Sequence, residues 1–125
     1  MNPHEMRQMR PVEHAEAAAE AIRWLNHATI HGGYQWPSDV DAVVGHLLML
    51  AERLPQALEQ ASRWLSRQHE AGRVGIDDVG APVAADVAVE AAVTALAVAR
   101  SQAGELARDL RRARSLTTRM TGVEP

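Results

Sequence analysis

The amino-acid sequence predicts an all-α protein built on a long antiparallel helical hairpin, and three observations carry that reading. Apolar residues recur at spacings of three and four along two long segments, about 37–71 and 82–118. A connector with the composition of a turn separates them. A shorter segment with the same periodicity, about 11–31, precedes both. The expected assembly is a three-helix bundle or a helical oligomer.

The elements follow in chain order. Residues 1–10 mix charged side chains, a proline and three Met with no sustained period, and are expected to form a flexible arm. From Pro11, well suited to a first helical position, Ala15, Ala18, Ile22, Leu25 and Thr29 fall on one stripe. That helix should stop at Gly32-Gly33, where a left-handed cap is cheap.

Pro37-Ser38-Asp39-Val40-Asp41 has the character of a helix start, with Ser38 as candidate N-cap and two aspartates beside the positive end of the dipole. The stripe Val40, Val44, Leu47, Ala51, Leu54, Leu58, Ala61 and Leu65 then keeps a heptad spacing. Pro55 interrupts the hydrogen-bond ladder, but the register crosses it without a slip, which predicts one kinked helix rather than two. The helix should finish near Ala71-Gly72. Residues 72–82 hold three glycines and the pair Asp77-Asp78, and should reverse the chain. Beyond Pro82 the stripe Ala85, Val89, Ala92, Leu96, Ala99, Ala103, Leu106, Leu110 and Ala113 alternates four and three without a fault. Residues 11–119 are thus expected to form one helical domain, and 120–125 a tail.

Composition narrows the functional classes. The chain has no Cys, which removes disulfides, thiolate nucleophiles and Cys-based metal sites together. Residues 1–11 lack an apolar stretch of the kind that directs export, and no apolar run is long enough to span a membrane, so a cytoplasmic location is expected. His27 and His31 have the i,i+4 spacing of a two-imidazole metal site, yet no His-Glu-x-x-His occurs and no third ligand is fixed by spacing. His14 and His46 lack an evident partner for acid–base work. Glu13, Glu16 and Glu20 fall along one exposed edge, and no phosphate-binding loop or Gly-x-Ser-x-Gly is present. The expectation is a non-enzymatic protein with no cofactor and no metal.

Charge is unevenly placed. Arg100, Arg108, Arg111, Arg112, Arg114 and Arg119 face only Glu105 and Asp109 over the same stretch, whereas residues 1–52 carry seven acidic side chains against three basic. Arginines at Arg108, Arg111, Arg112, Arg114 and Arg119 could neutralise phosphates, which makes nucleic-acid binding the alternative function. The same charge suits a helix C-terminus or an acidic protein partner, including a second copy of the chain. Tyr34 and Trp36, just before the second helix, would cap a bundle end or anchor a partner.

The segments Glu13-His14-Ala15-Glu16, Tyr34-Gln35-Trp36-Pro37-Ser38-Asp39-Val40 with Val44-Gly45, and Leu54-Pro55-Gln56-Ala57-Leu58-Glu59-Gln60 with Trp64-Leu65 resemble a group of small uncharacterised helical proteins of actinobacteria, often encoded with plasmid or integrative-element genes. The resemblance implies an accessory role in a mobile-element context and transfers no functional residue. The secreted helical-hairpin family with a Trp-x-Gly turn is similar in size, but Trp36-Pro37-Ser38 precedes the second helix here and the connector has no Trp.

The two long stripes exceed what the shorter helix can cover, so self-association, with a dimer favoured, is the expected function. The interface residues expected to carry it are Leu47, Leu54, Leu58, Leu65, Val89, Leu96, Leu106, Leu110 and Trp36.

Overall fold

A computed structural model describes residues 1–125, all of them in helices and short connections without a strand. The elements are α1 (Pro3–Gln8), α2 (Pro11–Thr29), α3 (Pro37–Glu70) and α4 (Ala85–Thr117). They fall into two compact units, Met1–Trp36 and Pro37–Pro125. No helix is long and apolar enough to cross a membrane.

In the first unit, the segment expected to be irregular contains the six-residue helix α1. Its cause is local. Asn2 is the N-cap, its Oδ1 accepting from the Glu5 amide at 2.8 Å while its Nδ2 donates to the Glu5 carboxylate at 3.1 Å, and Pro3 occupies the first helical position. Helix α2 starts at Pro11 as the sequence indicates, and buries no residue. Its stripe is graded: Ile22, Leu25 and Thr29 are half-buried, while Ala15 and Ala18 are exposed.

In the second unit, α3 and α4 form the expected hairpin. Helix α3 begins at Pro37, so Ser38 lies within its first turn instead of capping it. Pro at the first helical position needs no amide donor, which lets the helix start two residues before the Asp39 start that a Ser38 cap implies. The helix runs unbroken through Pro55. It ends in a Schellman arrangement: the Arg73 amide donates to the Gln68 carbonyl and the Gly72 amide to the His69 carbonyl, both at 2.9 Å, with Gly72 at φ 73°. That left-handed residue turns the chain out of the helix, and Asp77 stabilises the connector by accepting from the Val79 amide.

The core of the hairpin is thin. Leu48, Ala51 and Ala107 form its buried centre, with Leu110 packed against them, and no large side chain is fully enclosed. Val89, Ala103 and Ser62 are the other buried side chains along the two helices, and Gly45 is buried as well. A Cβ on Gly45 would lie 2.6 Å from the Arg114 Cζ, so the glycine makes room for that guanidinium.

Candidate interaction surface

Heptad letters locate every side chain once the hairpin is known. With Leu48 at a and Ala51 at d, the α3 residues that turn toward α4 are the a row Asp41, Leu48, Pro55, Ser62 and His69, and the d row Val44, Ala51, Leu58 and Leu65, all buried or half-buried. On α4 the equivalent rows are Asp86, Val93, Arg100, Ala107 and Arg114 at a, and Val89, Leu96, Ala103, Leu110 and Thr117 at d.

The sequence stripes therefore ran one row off centre. Each combined the correct d row with the g row, one residue before a, because the a rows hold Asp41, Pro55, Ser62, His69, Asp86, Arg100 and Arg114, which apolar periodicity passes over. Of the expected interface residues, Leu58, Leu65, Val89, Leu96 and Leu110 lie in the intramolecular seam. Leu47, Leu54 and Leu106 lie in the g rows beside it, and Leu106 is 47% exposed. Trp36 is the last residue of the first unit and is exposed.

Polar contacts cross between the helices at three points. Asp41 is only 18% exposed at its side chain, accepts from Thr117 Oγ1 at 2.7 Å and lies 3.7 Å from Arg114 Nε. At the other end of the hairpin His69 Nε2 lies 2.8 Å from Asp86 Oδ1. Arg111 reaches Glu52 at 3.5 Å. The Asp41 and His69 contacts link the start of α3 to the end of α4 and the reverse, which fixes the antiparallel register at both ends, and Glu52–Arg111 adds a contact nearer the middle of α3. No buried side-chain polar atom is left without a partner.

Glu52 and Arg111 are both e positions, so one edge of the hairpin is polar. Arg100, Glu52, Pro55 and Glu59 line a surface depression on that edge. In an antiparallel pair the g rows share the opposite edge. There α3 presents Val40, Leu47, Leu54 and Ala61, and α4 presents Ala85, Ala92, Ala99, Leu106 and Ala113, with no charge in either row. One step further around α3, the c row is Val43, Leu50, Ala57 and Trp64, again uncharged, with Trp64 58% exposed. A shallow groove on this side of α3 is lined by His46, Met49, Leu50, Arg53, Leu54 and Ala57. His46 is thus a surface residue at the groove.

The arginines expected to meet phosphate are mostly engaged within the chain. Arg111 pairs with Glu52, Arg112 with Asp109 and Arg114 with Asp41. Arg108 and Arg119 are exposed and make no ion pair.

Elsewhere the titratable groups are dispersed. Arg10 pairs with Glu13, Arg23 with Glu20 and Arg63 with Glu59, all within one or two turns of the same helix or its cap. His27 meets Trp24 edge to face at 5.8 Å, and the Arg23 guanidinium lies over the same indole at 4.8 Å. No three His, Cys, Asp or Glu side chains converge on one point.

Comparison with protein-family models, curated proteins and solved structures finds no match to this chain.

Proposed function

We propose that the protein is a non-enzymatic helical interaction module that self-associates, an accessory protein whose mobile-element setting rests on the sequence resemblance alone. The observation that carries the reading is the surface the chain exposes, 9929 Å². Treated as two separate compact bodies of about 4 and 10 kDa, its units would expose roughly 7,800 Å² together by the size scaling of folded monomers. The chain therefore exposes about 2,000 Å² more than its size requires, against the roughly 800 Å² per partner of a standard protein interface. Uncharged rows of Leu, Val and Ala account for much of the open side of the hairpin. A continuous uncharged apolar face of this kind on an exposed helix is the usual mark of an interaction site.

Sedimentation velocity over a concentration series tests the proposal, with a mass of two chains or more expected at micromolar concentration. A single-chain mass throughout, up to about 100 µM, would refute it; such a result would place any Kd weaker than the corresponding ~5.5 kcal/mol. Phosphate binding by the end of α4 is the second reading, favoured only by Arg108 and Arg119, which lack a carboxylate partner. It requires affinity for a short duplex that falls steeply with salt and weakens when both are changed to Ala. Absence of binding at low salt removes it.

A further inference from the structure

We infer that the open side of α3 is closed by the same side of a second copy, the two α3 helices running antiparallel about a two-fold axis between Leu50 and Leu54. The inference rests on the self-association proposed above and adds the face, the occupant and the register.

The g and c rows of α3 together repeat at alternating spacings of three and four from Val40 to Trp64 without a polar interruption. This is the pattern of a second coiled-coil seam, and it is more uniformly apolar than the seam facing α4, which contains Asp41, Pro55, Ser62 and His69. The two seams are separated by about a quarter turn of the helix, the angle at which one helix of a four-helix bundle meets two neighbours. On α4 the c row is broken by Gln102 and Asp109, so α3 is the helix built for a second partner.

Length selects the occupant. From Val40 to Trp64 the stripe extends about 36 Å, whereas the stripe on α2, Ala15 to Thr29, extends only about 21 Å. A second α3 matches the stripe along its whole length.

Shape selects the direction. An antiparallel pair centred between Leu50 and Leu54 sets Val40 against Trp64, Val43 against Ala61, Leu47 against Ala57, and Leu50 against Leu54 of the other copy. Val43 and Leu47 thus meet the small Ala61 and Ala57, Leu50 and Leu54 meet at the axis, and at each end the wide, exposed indole of Trp64 covers Val40. A parallel pair would stack Ala57 on Ala57 and Ala61 on Ala61, leaving gaps, and Trp64 on Trp64. A two-fold contact must be self-complementary in this sense.

Along the outer border, the antiparallel arrangement brings Asp39 of one copy toward Arg67 of the other, twice. The opposing contribution is Arg53, which approaches its own symmetry mate at an exposed position where such a pair matters little.

Because the chain has no Cys, single introduced cysteines report proximity between copies without background. Val43→Cys and Ala61→Cys chains, mixed and mildly oxidised, should form a disulfide-linked dimer, while neither does so alone, since like positions in an antiparallel pair lie about 27 Å apart. Leu50→Glu with Leu54→Glu should raise the dissociation constant by at least ~30-fold, as expected for central interface residues, with helicity by circular dichroism retained. Crosslinking of each single variant with itself and not in the mixture would overturn the antiparallel register. If the wild-type chain associates but the mixture does not crosslink, or the glutamate variant associates as well as wild type, the face is wrong and self-association stands. A wild-type chain that stays single overturns both.

Discussion

Replacing Pro55 by Ala should make the hairpin more stable. Pro55 sits inside α3 and cannot donate to the carbonyl of Ala51, which lies four residues earlier at 0% exposure and is out of reach of water. A helix-interior proline is about 3 kcal/mol less favourable than alanine, through the lost hydrogen bond and the ring's clash with the preceding turn. Against that, the half-buried ring contributes contacts with the seam worth roughly 1 kcal/mol by area. The net gain is about 2 kcal/mol, which for a unit of this size corresponds to a rise in Tm of about 10 °C. Pro55→Gly restores the amide but carries glycine's backbone penalty, and should gain about 1 kcal/mol less than Pro55→Ala. Thermal unfolding followed by circular dichroism at one fixed chain concentration is the assay, the concentration being fixed because association shifts the apparent midpoint. A Tm for Pro55→Ala equal to or below wild type would refute the reasoning, and would mean that the packing of the ring outweighs the broken ladder.

Three further substitutions probe the thin seam. Gly45→Ala gains about 1 kcal/mol of helix propensity and displaces only the tip of Arg114, whose 3.7 Å approach to Asp41 is worth at most about 1 kcal/mol at 44% exposure, so its urea midpoint should be unchanged or raised. Leu48→Ala removes the largest side chain of the buried centre and should lower stability by about 2–3 kcal/mol, the lower part of the range for such truncations because the site lies near the surface. Thr117→Val leaves Asp41 without its 2.7 Å hydroxyl donor and should cost about 1 kcal/mol in the same denaturation assay.

How far the sequence reached is explained by what periodicity measures. Spacing identifies a helix and its apolar arc, so the extents of α2, α3 and α4 and the turn at Gly72 were legible. Spacing does not say which two of several adjacent rows face the partner. On α3 the rows a, d, g and c all fall within one wide arc, and the most apolar pair, d with g, is not the pair that α4 covers. The deciding residues are polar: Asp41, His69 and Arg114 belong to the seam because Thr117, Asp86 and Gly45 receive them, and those partners are far away in sequence. The N-terminal helix α1 was missed for another reason. Asn2-Pro3 followed by Glu5 is a start signal readable in advance, but six residues are too few to show a period.

The division of labour between the two faces of α3 follows from the same rows. A seam holding Asp41, Ser62 and His69 buries little apolar area, and its polar pairs at both ends define register more than they add stability. A face of Leu, Val and Ala with no charge offers area and almost no polar means of setting register. A hairpin needs the first property, since a slip of α3 along α4 would leave Asp41 and His69 without partners. An interface between copies can rely on the second, because the two-fold axis and the pairing of Val43 and Leu47 with Ala61 and Ala57 select the alignment. Were the inner seam the only one, the unbroken apolar g and c rows on α3 would have no physical reason to be free of charge over six turns while the e and f rows of the same helix carry Glu52, Glu59, Arg53 and Arg67.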